Sequence, residues 1–265
     1  MPGAPVGSDA THPHEEYDAE VRIEGQGPPL VYVPGMDGTG QLFYTQVPAL
    51  ARHYTVAMYA LRDTATEMDA LVADLERVVR IVAPNGEPAV LVAESFGGAL
   101  AMSFALAHPD KVRGLVVLNS FPYYGPQFKL HLALGLLRIM PWGMMRTVRW
   151  VTASRLHSRH TRRSEIRRFL QLTARTTRSG YLNRLRVLTR YDIRGRLVHL
   201  RVPTLFLAAD QDHLIPSVVQ ARFMASLVPD SEMIVLGGHG HCSFLAPSVD
   251  IDAMLTAWPP TAVNP

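Results

Sequence analysis

The sequence has one cysteine, Cys242, among 265 residues, and this scarcity excludes several classes of protein. A single thiol cannot form an internal disulfide or a zinc site that needs several cysteines. Lysine is also scarce, since arginine supplies 24 of the 26 basic side chains. The most apolar stretch, residues 130–145, contains Arg138 and Pro141 and is too short to cross a bilayer. Apolar residues still make up 48% of the chain, enough for a large core.

The sequence also lacks a recognisable targeting segment. Residues 1–16 are polar and rich in proline and glycine, without the apolar centre of a signal peptide. We expect these residues to form a flexible tail and the protein to be cytoplasmic.

Short apolar runs alternate with segments of helical periodicity, and this alternation predicts an α/β fold with a doubly wound, mostly parallel sheet. The predicted strands are residues 30–33, 55–59, 89–93, 115–118, 204–208 and 233–236, after an antiparallel edge strand at 17–23. The predicted helices are residues 66–83, 95–107 and 217–227. Residues 17–120 and 201–258 therefore form the predicted core.

Residues 121–200 interrupt the alternation and predict a helical cap inserted into the core. Residues 121–201 carry 18 basic and two acidic side chains, a net charge of +16, whereas the rest of the chain is at −13. The simplest interpretation is that the apolar residues of this segment pack on the core and that its arginines are solvated. The alternative is an apolar acyl-chain pocket whose basic face meets an acidic acyl carrier protein, a coenzyme A ester or an anionic membrane surface. Nucleic acid is not expected, because the rest of the chain is acidic and no nucleic-acid-binding motif is present.

The residues Ala93-Glu94-Ser95-Phe96-Gly97 follow a predicted strand and begin a predicted helix. They match the pattern G-x-S-x-G, with alanine at the first position, in the strand–turn–helix context that holds a serine in a strained, exposed turn. The alternative is that Ser95 only caps an ordinary helix.

The loop of residues 34–40 is rich in glycine and follows an earlier strand. It matches neither the phosphate-binding nor the dinucleotide-binding glycine pattern, so we expect no cofactor. With Ser95 as a nucleophile, this loop and the turn after Ser95 would supply oxyanion-hole N–H groups, which we assign to Met36 and Phe96.

Two later loops offer an acid and a base. Asp212 is favoured over Asp210 as the acid because of its spacing to Pro216, and His241 is favoured over His239 as the base. Turn chemistry for the aspartates and a metal pair formed by the two histidines are the alternatives. No ligand cluster accompanies the histidines, so no metal is expected.

The order Ser95, Asp212, His241, with each residue after a predicted strand, resembles the α/β-hydrolase superfamily over about residues 17–258. The loop at 34–40 and Glu94-Ser-Phe-Gly-Gly98 are similar to the esterase and acyltransferase branch that includes plant phytyl ester synthases. The resemblance implies a serine esterase or lipase that cleaves esters or thioesters of a lipophilic acyl group through an acyl-enzyme. An acyltransferase using the same three residues, or a binding protein without activity, are the alternatives.

Overall fold

A seven-stranded sheet lies at the centre of the computed structural model, which describes residues 20–258. The strands are ordered β1-β3-β2-β4-β5-β6-β7; β1 is antiparallel to β3, and all other pairs are parallel. The strands are β1 Val21–Glu24, β2 Pro29–Val33, β3 Thr55–Tyr59, β4 Ala89–Glu94, β5 Val112–Leu118, β6 Thr204–Ala209 and β7 Ser231–Leu236. The predicted fold class is confirmed. The predicted tail, residues 1–16, and the first residues of the predicted edge strand lie outside the described part of the chain.

Helices cover both faces of the sheet. Within the described residues they are α1 Val47–Leu50, α2 Met68–Val82, α3 Phe96–Ala107, α4 Gln127–Ile139, α5 Met144–Leu156, α6 Arg163–Thr173, α7 Arg178–Leu188, α8 Ser217–Ala225 and α9 Ile251–Ala257. Alternate residues of each central strand point to opposite faces. Val31 and Val33 pack in the cluster that contains α2, α3 and α8, whereas Leu30 and Tyr32 pack with α1 and α9. Both faces of β2 and β4 are therefore buried, which explains their continuous apolar sequence.

Helices α4 to α7 all lie between β5 and β6, in the part of the chain that we call the cap segment, residues 121–200. Its apolar residues divide into two groups. Leu130, Leu134 and Met145 are buried, as simple packing on the core requires. Phe128 is 68% exposed and Ile139 is 81% exposed, so the interpretation that the apolar residues of this segment pack on the core does not hold for these two. Between residues 20 and 258, no helix combines the length and apolar character needed to span a membrane.

Candidate active site

Ser95 lies in the sharp turn between the central strand β4 and helix α3. Its backbone has φ 51° and ψ −119°, a conformation that costs a non-glycine residue energy and that the G-x-S-x-G pattern leads one to expect. The turn is fixed from two sides: the Ser95 N–H donates to Leu118 O at 2.9 Å, and the Ser120 hydroxyl donates to Ser95 O at 2.7 Å. The Ser95 side chain makes no capping hydrogen bond to α3, so the role of a simple helix cap does not describe it.

The glycines after Ser95 allow α3 to approach the sheet closely. A Cβ atom on Gly97 would lie 2.2 Å from Val33 O, and one on Gly98 would lie 2.5 Å from the Ser120 side chain. Any larger residue at these positions would push the helix away from β2 and β5. The small residues of the motif are thus a packing requirement of the turn that presents Ser95.

Asp212 and His241 meet across the loops that follow β6 and β7. His241 Nδ1 lies 2.7 Å from Asp212 Oδ2, while Asp212 Oδ1 accepts hydrogen bonds from the N–H groups of Leu214 and Ile215. The Ser217 hydroxyl also donates to Asp212 Oδ2. Burial alone would raise the pKa of Asp212, but the hydrogen bonds from His241 and Ser217 and the charge of His241 outweigh burial and lower it. Asp212 is therefore held as a carboxylate, which favours a proton on the Nδ1 of His241.

The competing residues of each pair have other roles. Asp210 Oδ1 accepts the N–H of Gly238 at 2.7 Å, which closes the turn after β7. The two ring nitrogens of His239 lie 2.8 Å from Gly237 O and 2.9 Å from Ser248 Oγ. Neither residue contacts the Asp212–His241 pair through a hydrogen bond. Within residues 20–258, no three His, Cys, Asp or Glu side chains are grouped as metal ligands.

The glycine-rich loop after β2 lies beside Ser95 in the same cavity. Met36 lines this cavity, and Phe96 is the first residue of α3, where backbone N–H groups have no acceptor within the helix. In the described part of the chain, the backbone N–H groups of Met36 and Phe96 have no hydrogen-bond acceptor. Both are available as donors to a bound oxygen atom.

A buried arginine fixes the position of this loop. Arg184, on α7 of the cap segment, has an almost fully buried side chain. Its guanidinium donates to Met36 O at 3.0 Å and to Asp37 O at 3.2 Å, and it forms an ion pair with Asp63 at 3.1 Å. Gly38, at φ 67°, leaves the space that this side chain fills, because a Cβ there would lie 2.5 Å from Arg184 Cζ. The cap segment thus holds the loop that carries the Met36 amide.

Glu94, the residue before Ser95, supports the same loop from below. Its Oε1 accepts the Tyr32 hydroxyl at 3.0 Å, and its carboxyl group also interacts with the backbone N–H of Gly35. A Cβ on Gly35 would lie 2.9 Å from this oxygen. Burial, aided by the charge of Asp37, raises the pKa of Glu94 to about 7, against smaller opposing effects of His241, Tyr32 and Gly35. A carboxyl group that changes charge near neutrality therefore lies directly behind the turn that holds Ser95.

The cavity above Ser95 has a volume of about 330 Å³ and contains His241 as well. Its walls are mostly apolar and come from the core and from three cap helices. They include Leu42, Phe121, Met145, Val148, Leu156, Phe169, Leu185, Leu188, Leu214 and Ile215. Such a lining fits an apolar group bound next to the serine hydroxyl and the imidazole.

Sequence reasoning did not assign Glu94, Arg184 or Ser217. Glu94 was visible within the serine motif, and Ser217 is five residues after Asp212, so position gave a weak signal for both. Arg184 gave no signal, because it is one of 17 arginines in a strongly basic segment and only its burial distinguishes it.

Comparison with known proteins identifies the family. A family-level sequence profile described as "alpha/beta hydrolase fold" matches residues 28–247. A putative carbamate hydrolase RutD of Yersinia enterocolitica is 27% identical over 89% of this chain and 90% of its own length. A pimeloyl-[acyl-carrier protein] methyl ester esterase of Stenotrophomonas maltophilia is 28% identical over 89% of this chain and 94% of its own length.

Solved structures agree at the level of the fold. The enol-lactonase of Burkholderia xenovorans LB400 superposes with a TM-score of 0.79 at 18% identity, covering 91% of this chain and 96% of that one. The narrower likeness to phytyl ester synthases stays a prediction. Because the family profile spans most of the chain and the relatives include esterases, the chain belongs to the alpha/beta hydrolase fold family and is an enzyme of the hydrolase class.

Proposed function

We propose that the chain is a serine esterase that hydrolyses carboxylic esters or thioesters of a lipophilic acyl group through an acyl-enzyme. The proposal depends above all on the 2.7 Å hydrogen bond between His241 and Asp212, in a cavity that also contains Ser95. The similarity to proteins named as an ester esterase and a carbamate hydrolase supports cleavage of an acyl bond.

The proposed reaction has two halves. The Ser95 hydroxyl attacks the carbonyl carbon of the ester, and His241 Nε2 takes the hydroxyl proton. Collapse of the tetrahedral intermediate breaks the bond to the leaving alcohol, which receives that proton from His241. Water then attacks the acyl-enzyme with His241 again as the base, which releases the acid and restores Ser95. Asp212 stabilises the imidazolium in both halves.

Met36 and Phe96 form the proposed oxyanion hole. Their unpaired backbone N–H groups would donate to the oxygen that becomes negatively charged in the tetrahedral intermediate. Phe96 begins α3, so the positive end of a twelve-residue helix adds to this stabilisation. The loop of Met36 is held by Arg184 and Glu94, so the donors are in place before the substrate binds.

A fluorophosphonate probe and a series of p-nitrophenyl esters of increasing chain length test this proposal. The wild-type protein should be labelled on Ser95 and should prefer medium or long acyl chains. Ser95→Ala and His241→Ala should lose about 10⁴- to 10⁶-fold in kcat. His239→Ala is the matched control and should retain activity, because its ring contacts lie outside the pair. An unlabelled and inactive wild-type protein would favour the binding-protein alternative.

Acyl transfer uses the same acyl-enzyme and differs only in the acceptor. Product analysis with a long-chain alcohol present separates the two outcomes, since transfer yields a new ester and hydrolysis yields free acid. Free acid as the main product supports the proposed esterase function. A new ester as the main product would mean that the protein is an acyltransferase.

The exposed apolar residues of the cap segment indicate which kind of surface the protein binds. Apolar side chains at helical spacing are exposed on α4, and more are exposed on α5: Phe128, Leu132, Leu136, Ile139, Met144, Trp150 and Val151. The same segment lies within the stretch of net charge +16. An exposed apolar helix face within a strongly basic segment suits an anionic lipid surface, whereas a second copy of this basic segment would be repelled. We therefore assign an anionic membrane surface as the partner of the cap segment.

Co-sedimentation with vesicles tests this assignment. Vesicles rich in phosphatidylglycerol should bind the protein at low salt, and phosphatidylcholine vesicles should bind it weakly. Ile139→Asp should reduce binding severalfold, while Ile81→Asp, a half-exposed apolar residue on α2, should not. Charge reversal of the exposed Arg162, Arg163, Arg167 and Arg168 should weaken binding and its dependence on salt. If the protein binds an acidic acyl carrier protein and neither kind of vesicle, the partner of the cap segment is the carrier protein and not a membrane.

A further inference from the structure

Three polar side chains in the cavity lack a hydrogen-bond partner among the described residues. Tyr124 follows β5, Arg149 is on α5 and Tyr181 is on α7, and all three line the cavity that contains Ser95. Among residues 20–258, neither the guanidinium of Arg149 nor either tyrosine hydroxyl makes a hydrogen bond or an ion pair. The three groups are donors, and the mechanism proposed above uses none of them.

Arg149 is held in place by aromatic contacts and not by an acid. Its guanidinium lies 5.6 Å from the centre of the Trp142 ring, and the Tyr181 ring lies 6.0 Å from the same ring. Tyr181 interacts electrostatically with both Arg149 and Tyr124, and all three residues line the same cavity. Burial lowers the pKa of Arg149, although arginine stays charged in proteins. The cavity therefore presents a cation and two hydroxyl groups next to apolar walls.

Within residues 20–258, Asp37 is the acidic side chain that interacts with Arg149, and it does not neutralise the guanidinium. Asp37 contributes to the electrostatic environment of Arg149, but the two side chains form no ion pair. Asp37 Oδ1 accepts the backbone N–H of Thr39 at 2.9 Å and also the Thr39 hydroxyl. Burial of half of a guanidinium group costs free energy when no carboxylate pairs with it, and a bound anion would remove that cost.

We propose that Arg149, Tyr181 and Tyr124 form a subsite for a carboxylate group of the substrate, so that the preferred substrate is an ester that carries a second, ionised carboxyl group. This inference rests on the proposed esterase function and specifies its substrate class. The planar guanidinium can donate two parallel hydrogen bonds to a carboxylate, and the tyrosine hydroxyls can donate to the same oxygens. The methylene chain between the ester and the carboxylate would lie against Leu156, Phe169 and Leu185.

Two substrate pairs show on which side of the ester the anion belongs. The first compares the p-nitrophenyl monoester of a dicarboxylic acid with a p-nitrophenyl ester of the same length that ends in a methyl group. The second compares an acetate ester of an ω-hydroxy acid with the acetate of the matching alcohol. In one of the pairs, the wild-type kcat/KM should be higher for the anionic ester. Values of kcat/KM that are no higher for the anionic ester than for the neutral ester in both pairs would overturn the proposal.

Variants of the subsite supply the second comparison. Arg149→Met should lower the anionic-to-neutral ratio of kcat/KM by about 10- to 100-fold, mainly through KM. Arg149→Lys should lie between it and the wild type, and Tyr181→Phe should lower the ratio a few-fold. Arg146→Met, which changes an exposed arginine one turn away on α5, should leave the ratio unchanged. An unchanged ratio in folded Arg149→Met would rule the subsite out.

Calorimetry separates failure of this inference from failure of the proposed function. Ser95→Ala should bind a free dicarboxylate, and adding Arg149→Met should abolish that binding. If no ester is hydrolysed but this binding is present, the subsite stands and the esterase function fails. If esters are hydrolysed and no variant alters binding or the ratio, the esterase function stands and the subsite fails. Circular dichroism of each variant checks the fold, and Arg149→Lys and Tyr181→Phe carry the test if Arg149→Met does not fold.

Discussion

Replacement of Glu94 by glutamine should change how the stability of the protein depends on pH. Burial raises the pKa of Glu94 from 4.5 to about 7 in the folded protein, so between these values the folded state holds a proton that the unfolded chain releases. The free energy of unfolding must then fall as pH rises through this window and level off above pH 7. This rise in pKa corresponds to about 3 kcal/mol in the free energy of unfolding. Glutamine resembles the protonated carboxyl group and can still accept the hydrogen bond of the Tyr32 hydroxyl. The free energy of unfolding of Glu94→Gln should therefore not fall over this pH range.

Urea unfolding of both proteins at a series of pH values measures the effect. The two stability curves should be close at about pH 4 and diverge by about 3 kcal/mol at pH 8, with the wild type less stable. Glu76→Gln is a control of opposite sign, because the hydrogen bond from Lys111 lowers the pKa of Glu76 against a smaller effect of burial. The free energy of unfolding of Glu76→Gln should differ most from that of the wild type above pH 4.5, where the variant should be the less stable protein. Parallel curves for wild type and Glu94→Gln would show that Glu94 does not hold a proton in the folded state at neutral pH.

Three further substitutions address the site. Asp212→Asn should lower kcat about 10⁴-fold with little effect on KM, whereas Asp210→Asn should cost far less, which steady-state kinetics on one ester will show. Arg184→Met should lower the free energy of unfolding in urea by about 2–4 kcal/mol and reduce activity, because two loop carbonyls lose their donor; a stable and fully active variant would contradict this. Gly97→Ala should cost about 1–3 kcal/mol by moving α3 away from Val33 O, with a lower melting temperature and a lower kcat/KM; unchanged values would show that the turn adapts.

The central strands were predictable because burial on both faces requires continuous apolar sequence. Residues 55–59 were predicted as a strand with the bounds that the structure has. β5 begins at Val112, three residues before the predicted start, because Arg113 and Gly114 interrupt the apolar run while the pairing with β4 continues on both sides of a bulge at Arg113. β7 begins at Ser231, because an edge strand can hold polar residues facing solvent.

The cap segment was predictable as helices but not in its packing. The pattern of apolar residues in α4 does not tell which of them face a neighbour, since that depends on how the helices are placed on the core. Leu130 and Leu134 are buried, whereas Phe128 and Leu132 on the same helix are exposed. The same limit applies to Arg149, whose sequence context is that of an ordinary surface arginine although it lines the cavity.

The contact of Arg184 with the loop of Met36 has a consequence for exchanging parts between related enzymes. The groups proposed to carry out the chemistry come from segments that directly follow strands of the sheet, while much of the cavity wall comes from α5, α6 and α7. A transplanted cap would therefore change which molecules fit while leaving Ser95 and His241 where they are. The donor of such a transplant must nevertheless bring its own guanidinium to the position of Arg184, and the recipient must keep the glycine at position 38 that receives it. These helices can consequently be exchanged only between enzymes that share the contact between the arginine and the glycine.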